Sequence, residues 1–594
     1  MIPLDAEQTK AVYAPSGRPT IVNASAGSGK TRCLIAKILL LLEQGVDPKN
    51  ICAITFTNKA ANEMKKRLET LCSSIKNMQV STIHSLCVQI INLFIHHTYL
   101  NPPFSIYDEN HQLSVIRTIV KSREFPGEPK IYTSAISNIK SSGKGDLESP
   151  KGLQKAFRKS RFVKDLDEQH FIFMYKAYLE ILFKNNACDF DDLLTYAHDC
   201  LKHEDCSDYY SKLWPHLLVD EFQDTSLIQY NIINKLHTKN SKTLFVVADF
   251  NQAIYSWRGA NPENINDFID KHDPSICNLI YNYRSSPEII KHANQFLQYG
   301  EPMVAKNNIK GKVSFTKFSS QEEEAEKIAM TVMRNGDYEN TAILFRVNTR
   351  SLFFERAFAK HHIPYKVVGA LPYYRRRVSR DLLSYLKASA NRSDLESLTR
   401  IVNTPPRGFG PKKKERLLRE GWPYLEEMAL GMPLIQGLIN LLNKIRGMHP
   451  SDAINLILFK TDYRLSIKKD SDRQMLASFT DVISGFETIE ELILASNFIE
   501  EDTGHGVKLL TAHASKGLEF NLVLIVGVEE GIWPHSFAED IDEEKRLFYV
   551  ACTRAMKHLN ISYSMTRVYQ KMVKDSKPSV LLLESLNNYK EKGV

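Results

Sequence analysis

Thr20-Ile21-Val22-Asn23-Ala24-Ser25-Ala26-Gly27-Ser28-Gly29-Lys30-Thr31-Arg32 decides the reading of this chain. Its apolar opening predicts a buried strand, the small residues up to Gly29 a tight loop, and Lys30-Thr31 the entry to the helical run CLIAKILLLLEQ (33–44). A strand, a small-residue loop and a helix with Lys-Thr at the junction is the arrangement that cradles the tail of a nucleoside triphosphate. Ala24, Ser25, Ala26, Gly27, Ser28 and Gly29 let backbone N–H groups approach phosphate oxygens. Lys30 is expected to reach the β- and γ-phosphates, and the Thr31 hydroxyl to take a place on Mg²⁺. The pattern usually opens with Gly, and Ala24 stands in that position. A Gly-containing turn of any α/β fold is the alternative; it leaves the order Gly-x-Gly-Lys-Thr unexplained.

Composition bounds the rest. A chain of 594 residues exceeds what one core supports and predicts several domains. Its 43% hydrophobic and 25% charged residues are those of an ordinary soluble globular protein. No apolar run approaches a membrane span; Ile38 to Leu42, for example, is bounded by Lys37 and Glu43, and Asp5, Glu7 and Lys10 interrupt any leader-like opening. Nine Cys without a C-x-x-C pair indicate neither a zinc site nor an iron–sulfur cluster, and predict a reducing, cytoplasmic compartment. The net charge of +8 permits a polyanionic partner without requiring one.

Along the chain, Gln8 is placed either to read an adenine edge, its amide donating and accepting at once, or to sit at a helix start on the surface. Ile51 to Thr57 and Met78 to His84 are β-rich apolar runs, and their alternation with helical segments predicts a parallel sheet with active residues at the strand ends. From 104 to 200 strand signals thin out and helical periodicity dominates, ending near Asp189-Phe190-Asp191-Asp192, a candidate helix N-terminal turn. His216 to Val219 resumes the sheet and runs into Asp220-Glu221. Two carboxylates at the end of a buried strand are costly unless a cation or a reaction needs them. Beside a phosphate loop, Asp220 is expected to hold Mg²⁺ through water and Glu221 to activate the attacking water. Thr243 to Asp249 predicts another buried strand, leading to Gln252 facing the γ-phosphate and to Tyr255, Trp257 and Arg258, flat groups of the kind that stack on bases. Read alone, Trp257 is a core residue, since aromatic residues are mostly buried.

The blocks ASAGSGKT (24–31), DEFQD (220–224), QAIYSWRGA (252–260) and NYRSSPEI (282–289) resemble the UvrD/Rep/PcrA family of superfamily 1 helicases. AILFRVN (342–348), LLTAHASKGLEF (509–520), VEEGIWPH (528–535) and RLFYVACTRA (546–555) follow in the family's order. The resemblance implies an α/β fold of two RecA-like parallel-sheet motor domains, each carrying a mainly helical insertion. The first would comprise 1–103 and 201–276 around an insertion at 104–200; the second, 277–374 and 504–594 around an insertion at 375–503, a candidate duplex contact. It implies ATP and Mg²⁺, with Gln8 and Arg32 near the adenine, Tyr283 stacked on it, Glu519 holding the ribose and Gly517 also at the nucleotide. Arg284 and Arg554 would come from the second domain as arginine fingers on the γ-phosphate, each worth on the order of 10³–10⁵ in rate. Phe56, Thr57, Asn58, His84, Tyr255, Trp257, Arg258, Arg346, Asn348 and His513 match the family's nucleic-acid track, and Tyr569 its strand-separating hairpin.

Some positions depart from the family pattern. The block around 249 begins Ala248-Asp249 rather than Gly-Asp, the residue after Tyr569 is Gln570 rather than Gly, and Tyr374 to Asp381 (YRRRVSRD) loses two acidic positions at the entry to the second insertion. Pro406-Arg407-Gly408-Phe409-Gly410 is similar to the family's Gly-hydrophobic-Gly hairpin, with Lys412 to Lys414 after it. The chain is expected to lack the long tail and the nuclease domain of some relatives. The implied activity is ATP hydrolysis stimulated by single-stranded DNA, 3′-to-5′ movement, and duplex separation at single-strand/duplex junctions in repair, replication or recombination. The expected state is a monomer or weak self-association, with no membrane partner. A translocase that displaces bound proteins shares every catalytic residue. A non-catalytic DNA-binding scaffold leaves Lys30, Glu221, Gln252, Arg284 and Arg554 unexplained, and RNA is the alternative substrate.

Overall fold

The computed structural model describes residues 2–590 except 16, 73–74, 76, 142–149, 160–162, 164–165, 239–240, 369–375, 468–469, 484–485, 498–504, 539 and 570–571. The chain divides into two compact units, Met1–Arg284 with Leu297–Asn307, and Ser285–Phe296 with Asn308–Val594. Both are α/β. Among the described residues, no helix is long and apolar enough to cross a membrane.

In the first unit, β1 (Thr20–Ala24), β2 (Ile51–Thr55) and β3 (Gln79–Thr82) precede an insertion whose two ends pair as β4 (Ser105–Tyr107) and β5 (Ala187–Asp189). β6 (His216–Val219), β7 (Thr243–Ala248) and β8 (Ser275–Leu279) follow it. The sheet order is β3-β2-β6-β7-β1-β8, and every pairing is parallel. Successive strand residues point to opposite faces. Leu217 and Val219 therefore join a core with Ile21, Ile54, Leu244 and Val246, while Leu218 joins another with Val22, Ala53, Phe245 and Val247. Burial on both faces explains the near-continuous apolar runs of these strands. It also leaves the chemistry to the loops at their C-terminal ends.

Two details of this unit differ from the sequence expectation. The run Met78 to His84 leaves the sheet after Thr82, whose hydroxyl accepts from Ser85 N and caps the helix Ile83–Leu93, so His84 sits in that helix's first turn. A Ser/Thr cap stops a strand that hydrophobicity alone would extend. The first unit also continues past 276, because β8 completes the sheet edge beside β1, and β9 (Tyr281–Asn282) pairs with β10 (Val304–Ala305). The helical insertion has its own core, including Ile136, Phe171 and Tyr178. Buried Lys140 lies 2.7 Å from Asp189 Oδ2 and 2.6 Å from Asp192 Oδ1, tying the end of the helix Pro129–Ser141 to the start of Phe190–Cys200. Asp189 caps that second helix, as the acidic cluster predicts.

The second unit is built on β11 (Lys312–Ser320), β12 (Thr341–Phe345), β13 (Tyr365–Val367), β14 (Val507–Thr511), β15 (Phe520–Ile525) and β16 (Ala555–Tyr569). They form a parallel sheet in the order β11-β16-β15-β12-β14-β13, and β17 (Met572–Asp575) returns antiparallel along β16. Between β13 and β14 the described elements are helices, from Arg377–Ala390 to Ile489–Asn497, and their apolar faces share one core with Ile343, Phe345, Leu509 and Leu524 of the sheet. Tyr374, Arg375 and Thr503, at the bounds of the second insertion, lie outside the described residues, as does the Tyr569 side chain.

Candidate nucleotide site and nucleic-acid surface

The loop after β1 is shaped for an anion. Gly27 and Gly29 adopt φ of 66° and 88°, where a side chain is strained. A Cβ on Gly27 would come within 2.8 Å of Arg284 Cβ, and one on Gly29 within 2.8 Å of Gln8 Nε2. Gly29 also caps the helix Lys30–Glu43 without any side-chain hydrogen bond, so the first-turn N–H groups and the positive end of the dipole have no side-chain acceptor there. Ala24, Ala26 and Ser28 are buried and Ser25 half-buried; Ser28 Oγ donates to Ser25 O at 2.7 Å and holds the loop's turn. Thr31 is half-buried and Arg32 exposed.

Neighbouring segments fix this loop from outside. Gln8 is 1% exposed and donates from Nε2 to Ser28 O at 2.9 Å, in a capping box with Asp5. Asn282 Nδ2 donates to Ala26 O at 2.6 Å, and Tyr283 N donates to Gly27 O at 3.0 Å. The Tyr283 hydroxyl donates to the Asp5 carboxylate; burial first, and then that carboxylate, pushes the phenol up to about 12. Arg284 thus closes the first compact unit, with its Cβ beside the loop. The cause is local: Asn282 and Tyr283 bind loop carbonyls and carry Arg284 with them.

The ends of β6 and β7 place the acids. Asp220 is 8% exposed, and its N–H donates to Ile54 O at 2.9 Å, which aligns it one residue beyond the ladder. Glu221 follows at φ 51°, ψ 42°, an uncommon conformation for a non-Gly residue. The Gln223 amide donates from Nε2 to Glu221 and accepts from Asp249 N at 3.0 Å. Asp249 Oδ2 in turn accepts from Lys30 Nζ at 3.1 Å and from Gln252 Nε2 at 2.6 Å. One connected network thus holds Lys30, Glu221 and Gln252. Sequence reading named those three and missed Asp249 and Gln223 as the residues that join them, because buried amide and carboxylate partners carry no spacing signal. Such oxygen donors beside an uncapped helix end fit Mg²⁺ and a triphosphate.

Beyond Gln252 the same loop turns outward. Tyr255 stacks on Phe56, which follows β2, with centroids 5.6 Å apart and planes 13° from parallel. Trp257 is 51% exposed, 6.5 Å from Tyr255, and the Arg258 guanidinium lies 4.7 Å over its ring. Phe56, half-buried Tyr255, Trp257 and Arg258 form one π cluster open to solvent at Trp257 and Arg258, which contradicts a core position for Trp257. Thr57 caps the helix Asn58–Leu71, accepting from Ala60 N, so Thr57 and Asn58 sit at its start. His84 meets half-exposed Phe190 edge-on at 6.1 Å, and burial lowers its pKa. Phe190 was not singled out from the sequence, where the acids around it dominate.

In the second unit the matched residues are mostly engaged. Arg346 is bidentate on Glu544, with Nη2–Oε1 at 2.7 Å and Nε–Oε2 at 3.0 Å. Arg554 is 2% exposed and donates to Val550 O, Leu518 O and Thr553 Oγ1. Asn348 is exposed at the start of the turn Asn348–Arg350, His513 is half-buried, and Gly517 and Glu519 are exposed. Arg407 N and Phe409 N both donate to Asn403 Oδ1, and Phe409 is buried, so this hairpin does not offer those N–H groups to a phosphate. Arg567 is buried between Glu324 and Glu529 and anchors the β16–β17 hairpin.

The UvrD/REP helicase N-terminal domain model matches residues 4–273, and the UvrD-like helicase C-terminal domain model matches 277–429 and 458–566. The chain is 34% identical to the ATP-dependent DNA helicase PcrA of Staphylococcus epidermidis over 98% of its own length and 86% of that protein's. It is 33% identical to the ATP-dependent DNA helicase PcrA of Staphylococcus aureus, over the same shares. With both domains matched in order and nearly the whole chain aligned, this protein belongs to the UvrD/REP helicase family.

Proposed function

We propose that this chain is an ATP-dependent DNA helicase, moving 3′ to 5′ on single-stranded DNA and separating duplex at junctions. The observation that carries the reading is one short loop. Asp249 and Gln252 at its start belong to the Lys30 network, and Tyr255, Trp257 and Arg258 at its end form the stacking cluster. A change in what Lys30 holds is therefore a change in the root of the DNA-facing loop.

Each residue has a definite task in this reading. Lys30 and the N–H groups of Gly27 and of Gly29 to Thr31 bind the triphosphate, and Gln252 reports its state. Glu221, fixed by its backbone conformation and by Gln223, takes the proton of the attacking water. Thr31 and Asp220 would hold Mg²⁺, which neutralises phosphate charge when bound. Tyr283 stacks on the base, Gln8 and Arg32 flank it, and Arg284 faces the phosphates. Arg554 and Glu519 keep the roles the resemblance implies, an arginine finger and the ribose contact, and Gly517 a place at the nucleotide. Bases stack on Phe56, Tyr255 and Trp257, with Thr57, Asn58, His84, Asn348 and His513 along the strand. The chain acts as a monomer or in weak self-association, in an intracellular, cytoplasmic setting.

The test is ATP turnover on 3′-tailed and 5′-tailed duplexes with strand release followed in parallel. Release confined to 3′-tailed substrate with DNA-stimulated turnover is the expected result. Turnover without release on either substrate favours a translocase that strips bound proteins, and no stimulated turnover removes the motor reading.

A further inference from the structure

We propose that His96, His97 and Asp205 form a binding site for a divalent transition-metal ion of the zinc class. The two histidines close the short turn Ile95–His97 behind the helix Ile83–Leu93, and Asp205 lies in the first turn of the helix Glu204–Leu213. Their three ligand atoms lie within 4.8 Å of one another, the one such cluster found among the described residues. His97 Nε2 is 2.9 Å from Asp205 Oδ2, and His96 Nε2 is 3.5 Å from the same oxygen. Tetrahedral zinc, with bonds of about 2.0–2.1 Å, needs ligand atoms about 3.4 Å apart. The observed separations bracket that value.

The geometry exceeds what an ion pair requires. A single His–Asp hydrogen bond accounts for His97; it does not account for a second imidazole nitrogen directed at the same carboxylate oxygen. The His97 ring is also held before any ion arrives. His203 stacks on it at 3.8 Å with planes 2° apart, and Phe94 lies 6.4 Å away with planes 6° apart. Such buttressing pre-orients a ligand. Two imidazoles and one carboxylate suit zinc and its neighbours, whereas Mg²⁺ and Ca²⁺ favour all-oxygen shells. His96 and Asp205 are exposed, which leaves the remaining positions to water. Cysteine spacing gives no hint of this site, since no Cys takes part. A bound ion would brace the end of the helix that begins at Ile83-His84 against the helix that leads into β6, Asp220 and Glu221.

The test is calorimetric titration of ZnCl₂ into the tag-free full chain, with Mg²⁺ in excess to occupy oxygen-rich sites. A single Zn²⁺ should bind, and its affinity should fall about 10–100-fold or more in His97→Ala and in the isosteric Asp205→Asn. Zn²⁺ should raise the melting temperature of the wild-type chain and not that of the variants. His111→Ala, which removes an exposed His–Asp pair with no third ligand, should bind as wild type. Zinc binding unchanged in both His97→Ala and Asp205→Asn, or no uptake by the wild type in large molar excess, overturns the assignment.

Discussion

Lys30 Nζ lies 3.1 Å from Asp249 Oδ2, and both side chains are largely buried. In the loop proposed to hold phosphate, the lysine is thus paired with a carboxylate that also accepts from Gln252 Nε2 at 2.6 Å. In the proposed function phosphate would compete with Asp249 for the same ammonium, and the displaced partners would rearrange. Asp249→Asn removes the competing charge and weakens the hold on Gln252. Its KM for ATP should stay level or fall while kcat drops about 10-fold or more, a split that steady-state kinetics reads directly. A rise in KM with kcat unchanged would place Asp249 in substrate binding alone.

Glu221 is held at positive φ with its carboxylate on the Gln223 amide. Glu221→Gln keeps shape and removes the proposed base. Nucleotide binding, followed by fluorescence of a labelled ATP analogue, should persist, while turnover falls by about 10²–10⁴. Near-normal hydrolysis would assign the base elsewhere.

Arg567 is 3% exposed, with Nη2 2.7 Å from Glu324 Oε2 and Nε 2.7 Å from Glu529 Oε2. Removing one member of a buried charge network strands the others, at a cost of about 3–5 kcal/mol. Arg567→Met should lower the denaturant midpoint of the second unit accordingly. A loss within about 0.5 kcal/mol, as for a surface site, would contradict this role.

Two histidines set an acid limit. His216 is 6% exposed and His292 0%; burial lowers each from 6.5 to about 4, with Lys242 adding to the effect at His216. Above 6.5 both states are neutral and nothing is lost. Between 6.5 and 4 the unfolded chain binds protons that the folded chain refuses, so stability falls as pH falls. The loss reaches about 3 kcal/mol per histidine by pH 4. Denaturant melts from pH 7 to 4 should show this slope reduced in His216→Gln, and an unaltered slope would exclude His216.

Much of the fold was legible because its strands are buried on both faces and its phosphate loop has fixed chemistry. HLLV (216–219) reads as a strand and is one, and Lys30, Asp220 and Gln252 follow from the strand ends. What escaped the sequence reading was decided by partners distant in the chain. Thr82 ends β3 by capping a helix, Asn282 and Tyr283 pull Arg284 to the first unit's loop, and Glu544 occupies the fork of Arg346. The Phe190 ring beside His84, and the Asp205 carboxylate between two histidines more than a hundred residues earlier, likewise follow from tertiary packing alone.

The central claim is that the loop from Asp249 to Arg258 joins the nucleotide network to the DNA-facing rings. It is tested most directly by ATP turnover of Trp257→Ala with and without single-stranded DNA. Basal turnover should match the wild type, while the DNA concentration for half-maximal stimulation should rise by about 5–150-fold, the equivalent of one lost stack of about 1–3 kcal/mol. Stimulation at unchanged DNA concentration and amplitude would contradict the account.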